Sequence, residues 1–137
     1  MLDILDISTT GLTANRRRLT AISNNIANMH TTRTGFDAEG KPIPYSRRST
    51  LFHAKGGKFG KTLEGVRATN FVDKRNGKKI HQPNHPDADE NGDVRMPNVN
   101  VQVEYVDAML ASRAYEANVQ VMNVTKNMMN TAIGLLA

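Results

Sequence analysis

Two apolar seven-residue repeats, one at each end of the chain, constrain this sequence more than anything between them. Leu5, Leu12, Leu19 and Ile26 recur every seven residues, and Ile22 and Met29 follow three residues after the last two. Towards the other end Ala108, Tyr115, Met122, Met129 and Leu136 recur at the same interval, with Ala114, Val121, Met128 and Leu135 as a neighbouring row. A sustained repeat of this length is the pattern of α-helices laid side by side along their length, so both ends are predicted to be helices whose purpose is packing. All five prolines lie between them, and none interrupts either repeat.

The first helix is expected from Asp3 or Ile4 to Asn28, with two early acids at the positive end of its dipole. Gly11 falls inside it, either as a local weak point or as the place where a neighbouring helix comes close. The last helix is expected to begin between Val101 and Glu104, after Pro97, and to run to Ala137. Its final turns carry Met128, Met129, Ala132, Ile133, Leu135 and Leu136, apolar nearly all the way round. One helix of the same chain cannot cover such a surface, so further neighbours are implied. Both helices are also rich in asparagine. Either most of these asparagines face solvent or several bond between helices and fix register, with Asn15 and Asn118, on or beside apolar rows, the better candidates.

The middle alternates short extended runs with breakers. Residues 40–44 form a turn cluster, 45–52 and 65–72 are predicted strands, and 55–60 are predicted to be a flexible loop. Asn76-Gly77, between residues 71–75 and 78–81, is the strongest hairpin signal in the chain. The expected fold class is therefore mainly α with a small β or irregular middle. The division is 1–30 for the N-terminal helix, 31–98 for the basic Gly/Pro-rich middle, and 99–137 for the C-terminal helix, the two helices packing as a coiled coil in an assembly.

Charge and composition exclude several functions. The net charge is +5, and residues 31–80 hold twelve Lys or Arg against four acids, yet the excess is spread through loops without aromatic interleaving, a zinc motif or a helix-turn-helix. The reading is no nucleic acid, with a basic nucleic-acid-binding module kept as an alternative. The chain has no cysteine, which removes disulfides and thiolate metal sites. No apolar run is long enough to span a bilayer, so no membrane insertion is expected. Asp3 and Asp6 stand where a secretory signal places positive charge, so export from the cytoplasm is expected to proceed without a cleaved signal peptide.

Candidate chemistry reduces to one segment. Asp87-Ala88-Asp89-Glu90-Asn91-Gly92 fits the first half of an EF-hand loop, which keeps a calcium-binding module as a second alternative. The twelfth position is Asn98 where a bidentate Glu belongs, and Pro83 and Pro86 bar an entering helix, so the segment reads as a turn whose Asp and Asn side chains cap their own backbone. Pro83 likewise prevents His81 and His85 from sharing a helix face. No serine or threonine stands in a nucleophile-elbow or phosphate-loop context. The expectation is no enzyme, no catalytic residue, no cofactor and no metal. The Arg16-Arg17-Arg18 run reads as a solvated face, or in an assembly as a partner for a neighbour's carboxylates.

Ser23-Asn24-Asn25-Ile26-Ala27-Asn28, followed by Thr31-Thr32-Arg33-Thr34, resembles the N-terminal signature of bacterial flagellar rod and hook proteins. Residues 85–92, 97–101 and 111–119 resemble the proximal-rod branch of that family, while residues 36–80 match it poorly. The resemblance implies a structural subunit of the flagellar proximal rod, the drive shaft that crosses the periplasm. It implies a homo-oligomer that also meets other rod proteins, the adaptor joining rod to membrane ring, and the flagellar type III export apparatus. Terminal helices of the family are typically disordered in the monomer and pack only in the assembled tube. On that view Asn24, Asn25 and Asn28 form the turn and contact region closing the first helix, and Ala111, Arg113, Tyr115, Asn118 and Val119 pack against it or against neighbours. With the repeat residues Leu5, Leu12, Asn15, Leu19, Ile22, Ile26, Met122, Met129, Ile133 and Leu136, these make up the expected assembly interface.

Overall fold

The computed structural model describes residues 2–55 and 65–136, without the side chains of Leu2, Asp3 and Leu136. Two helices hold the ends, α1 at Leu2–Ala27 and α2 at Val101–Leu136. Asn100 starts α2 by accepting hydrogen bonds at Oδ1 from the Gln102 and Val103 amides, 3.1 and 3.4 Å, which satisfies two donors that the first helical turn leaves without partners. Between the helices, the described residues form six short strands in three two-stranded sheets. β1 (Gly35–Phe36) pairs antiparallel with β2 (Pro42–Ile43), β3 (Arg48–Ala54) pairs with β4 (Val66–Val72), and β5 (Lys79–His81) pairs antiparallel with β6 (Asp93–Arg95).

These elements form two compact units, each assembled from segments distant in sequence. The first comprises Met1–Thr20, Thr50–Asn70 and Ala108–Ala137; the second comprises Ala21–Ser49 and Phe71–Asp107. In the first, α1 meets α2 where Gly11 faces Asn118: a Cβ added at Gly11 would stand 3.2 Å from Asn118 Nδ2. Of the two readings of Gly11, close approach of a neighbouring helix is the one observed. Arg17, from the basic run, donates through a terminal guanidinium nitrogen to the Ala68 carbonyl on β4 at 2.9 Å. In the second unit Val94 of β6 is fully buried, and Ala21, Ile22 and Tyr45 are buried as well.

The sequence misplaces one turn. Asn76-Gly77 closes no hairpin: β4 pairs with β3, β5 pairs with β6, and Gly77 is not among the glycines with positive φ. This glycine is needed for another reason. A Cβ there would fall 1.9 Å from the Met96 carbonyl oxygen, because the chain at 77–78 runs against 96–98 and Lys78 O accepts the Met96 amide at 2.9 Å. Close backbone approach and a left-handed turn demand the same residue, so the dipeptide alone could not tell them apart. The strand expected from residue 45 begins at Arg48, since the Tyr45 amide is held by Thr31 O and the Arg47 amide by Asn98 Oδ1. The flexible loop expected at 55–60 lies, beyond Lys55, outside the described residues.

Candidate functional site

The second unit is organised around a polar node that buries an amide and a carboxylate completely. Asn25, in the last turns of α1, and Glu104, in the first turn of α2, are both 0% exposed. Asn25 Nδ2 donates to Glu104 Oε2 at 3.0 Å and to Arg48 O at 2.8 Å. Asn25 Oδ1 accepts the Tyr45 hydroxyl at 3.0 Å and the Arg48 amide at 2.8 Å. All four hydrogen-bonding positions of the amide are thereby filled, which fixes its orientation and accounts for an asparagine where helix propensity would choose otherwise.

Glu104 turns its other oxygen to Arg47 Nε in a charge-assisted pair. Arg47 also donates to Ser49 Oγ at 3.1 Å and stands 3.5 Å from the Asp107 carboxylate, one helical turn beyond Glu104. Its main chain is held on both sides, by Asn98 Oδ1 and by the Asp73 amide. Burial pushes the Tyr45 phenol above its usual value of 10.0; the Arg48 cation opposes this and the Glu104 carboxylate adds to it. A buried carboxylate is tolerated only when paired and hydrogen-bonded, and Glu104 has both forms of support. The node joins the end of α1, the approach to β3 and the start of α2 through directional bonds.

The first unit presents the opposite chemistry. Along α2, the positions that are not exposed within this unit are Ala108, Ala111, Ser112, Asn118, Val119, Met122, Thr125, Met129 and Ala132. Most of them follow the seven-residue repeat, but the row beside Ala108, Met122 and Met129 is small and polar: Ala111, Asn118, Thr125 and Ala132. The apolar row named from the sequence, Ala114, Val121, Met128 and Leu135, faces solvent. It is joined by Leu110, Ala117 and Val124 at alternating steps of three and four residues. Val121 is 49% exposed, Val124 57%, Met128 63% and Leu135 83%. One residue turns a helix by about 100°, so this second row, offset by one position from the covered one, lies on the flank of α2. Beyond residue 116 its length carries one charged residue, Lys126.

The expected interface residues fall on both sides of this division. Leu5, Leu12, Leu19 and Ile26 are half-buried and Ile22 is buried. Asn15 is buried, but its Nδ2 bonds within its own helix to Gly11 O at 3.0 Å, and Asn28 likewise bonds back to Asn24 O at 2.9 Å. Ala111 is fully buried; Asn118, Val119, Met122 and Met129 are half-buried; Tyr115, Arg113 and Ile133 are exposed. The side chain of Leu136 is outside the described set. Sequence reasoning missed Tyr45, Arg47 and Glu104. Glu104 carried a usable signal, since it stands seven residues before Ala111 and so belongs to the same row.

The acidic segment at 87–93 is a self-capped turn. Asp89 Oδ1 accepts the Asn91 and Asp93 amides, both at 2.9 Å, and these bonds, chiefly that of Asp93, hold its carboxyl below the usual carboxylate range. Asp87 accepts the Thr32 hydroxyl at 2.7 Å and stands 3.5 Å from Arg33. His81 pairs with Asp93, and His85 accepts the Asp87 amide, so the two histidines have separate partners. Among the described residues no helix is long and apolar enough to cross a membrane.

Two long terminal helices joined to each other by a polar node, the second with an apolar exposed flank, define the class of this chain, and comparison with known proteins gives that class a name. Residues 5–33 match the family described as flagella basal body rod protein, and residues 90–135 match flagellar basal body rod FlgEFG protein C-terminal. Relatives that align over nearly their whole lengths include FlgC proteins. The chain is 36% identical to the flagellar basal-body rod protein FlgC of Bacillus subtilis (strain 168), over 94% of this chain and 93% of the relative. It is 36% identical to FlgC of Salmonella typhimurium, over 94% and 92%, and 38% identical to FlgC of Borreliella burgdorferi, over 96% and 95%. The chain belongs to the FlgC family of flagellar basal-body rod proteins.

Proposed function

We propose that this chain is a structural, non-enzymatic subunit of the flagellar proximal rod, which assembles with itself and with other rod proteins through its terminal helices and transmits torque along the drive shaft. The observation that supports this most directly is the uncovered flank of α2, where Leu110, Val121, Val124, Met128 and Leu135 lie in one row and are each about half exposed or more. Covering a half-exposed Val, Leu or Met is worth on the order of 1 kcal/mol, so a second helix along the row gains several kcal/mol. A shaft that carries torque needs many such seams acting together, and a single reactive site contributes nothing to that task. The rod-to-ring adaptor and the type III export apparatus belong to the same reading, as do a periplasmic location and export without a cleaved signal.

The test is imaging of basal bodies from a strain with an in-frame deletion of the gene. Membrane rings without a completed rod and hook, with motility restored by the intact gene, support the reading; complete flagella in the deletion strain overturn it. Within the complemented strain, Met128→Asp should abolish assembly because it buries an unpaired charge in the seam. Normal swimming of that variant would place the seam elsewhere.

A further inference from the structure

A cavity of about 420 Å³ opens between α1 and β4, lined among the described residues by Arg17, Lys55 and Arg67 together with threonines 9, 10 and 13, and by no described carboxylate. The threonine protons are already committed: Thr9 donates to Leu5 O, Thr10 to Ile7 O and Thr13 to Thr9 O. The cations therefore supply whatever recognition the cavity has. Arg17 spends one donor on Ala68 O and keeps the rest of its guanidinium, whereas Lys55 and Arg67 have no ion-pair partner among the described residues. Three cations around one concavity, with no acid among its described lining residues, repel one another unless an anionic group enters.

The same chain carries the complement. In the second unit the turn at 87–93 projects Asp89 and Glu90, both exposed. Asp89 is fixed by its own backbone bonds, and Glu90 has no partner among the described residues. We infer that the cationic cavity of one copy receives the Asp89-Glu90 turn of a second copy, a contact resting on the reading above that the chain assembles with itself. The cavity and the turn are different patches, so the contact is heterologous: each copy offers both halves, and repetition gives a ring or a helical array in place of a closed pair. Charge pairs of this kind set register and orientation between subunits and complement the apolar seam, which has little to define its register.

The absence of cysteine allows a direct test with the full chain. Two single-cysteine proteins, Arg67→Cys and Glu90→Cys, are mixed and oxidised. The expected result is a disulfide heterodimer in clear excess over either homodimer at about 50 mM NaCl, falling away near 500 mM, where exposed charges are screened within a few Å. In sedimentation at low salt, Arg67→Glu and Glu90→Lys should each weaken self-association about tenfold, and the double variant should recover most of the loss. Self-association of the unmodified chain that neither reversal changes, or a double variant no better than the singles, would overturn this contact and leave the assembly reading intact. A chain that does not self-associate at any salt concentration would overturn both.

Discussion

The two units use the same pair of helices in opposite ways. In the second, Asn25, Tyr45, Arg47 and Glu104 hold the end of α1 to the start of α2 by buried, directional bonds that leave no member of the node unsatisfied. In the first, α2 covers small and polar residues together with Val119, Met122 and Met129, and leaves Leu110, Val121, Val124, Met128 and Leu135 exposed. A buried polar node is selective because a misplaced partner leaves a desolvated charge, whereas an apolar flank accepts any complementary surface. One unit is closed by directional bonds, and the other leaves an apolar flank exposed, the surface proposed above for joining chains.

The largest expected effect breaks the first half of that comparison. Glu104→Ala leaves Arg47 and Asn25 without their carboxylate and should cost about 3–5 kcal/mol in urea unfolding. A cost below about 1 kcal/mol would mean that the node does not hold the unit together. Gly77→Ala comes next: its new methyl meets the Met96 carbonyl, and relieving the overlap by backbone movement should cost about 1–3 kcal/mol.

Tyr45→Phe should cost about 1 kcal/mol near neutral pH, the worth of one buried hydrogen bond. It also alters the alkaline limb. Because the folded phenol titrates above the unfolded value of 10.0, its contribution is intact below pH 10.0 and is lost as pH rises from there through the folded pKa. The unmodified chain should lose stability over that window, and the Phe variant should lose less; parallel profiles would mean that the phenol does not sense burial.

The smallest effect on stability sharpens the other half. Val124→Asp on the exposed flank should change unfolding by no more than about 0.5 kcal/mol while preventing assembly, whereas Met122→Asp on the covered row should lower both. Equal destabilisation by the two would show that the covered and uncovered rows are not distinct.

Much of this was legible in the residues. The seven-residue repeats place both helices within a residue or two of α1 and α2, and proline marks the middle. Periodicity reports which side chains share a face, however, and does not report which face a neighbour covers. Ala114, Val121, Met128 and Leu135 form a row in the sequence, but their exposure depends on α1 approaching the adjacent face of α2, at Asn118, where Gly11 makes room. Asn15 illustrates the same limit: its place on an apolar row is correct, and its bond goes to its own helix.

The residues alone place long helices at the two ends, interrupt the middle with prolines, and group the chain with the flagellar rod and hook proteins. These follow from local periodicity, proline geometry and short motifs, each contained within a few turns of chain. Only the tertiary structure decided that Asn25 and Glu104 are partners, that Gly77 serves close packing and not a turn, and that the cations near β4 surround one cavity. Those facts join residues up to 79 positions apart, and the energy of a buried hydrogen bond or charge depends on what surrounds it in space, which sequence spacing does not encode.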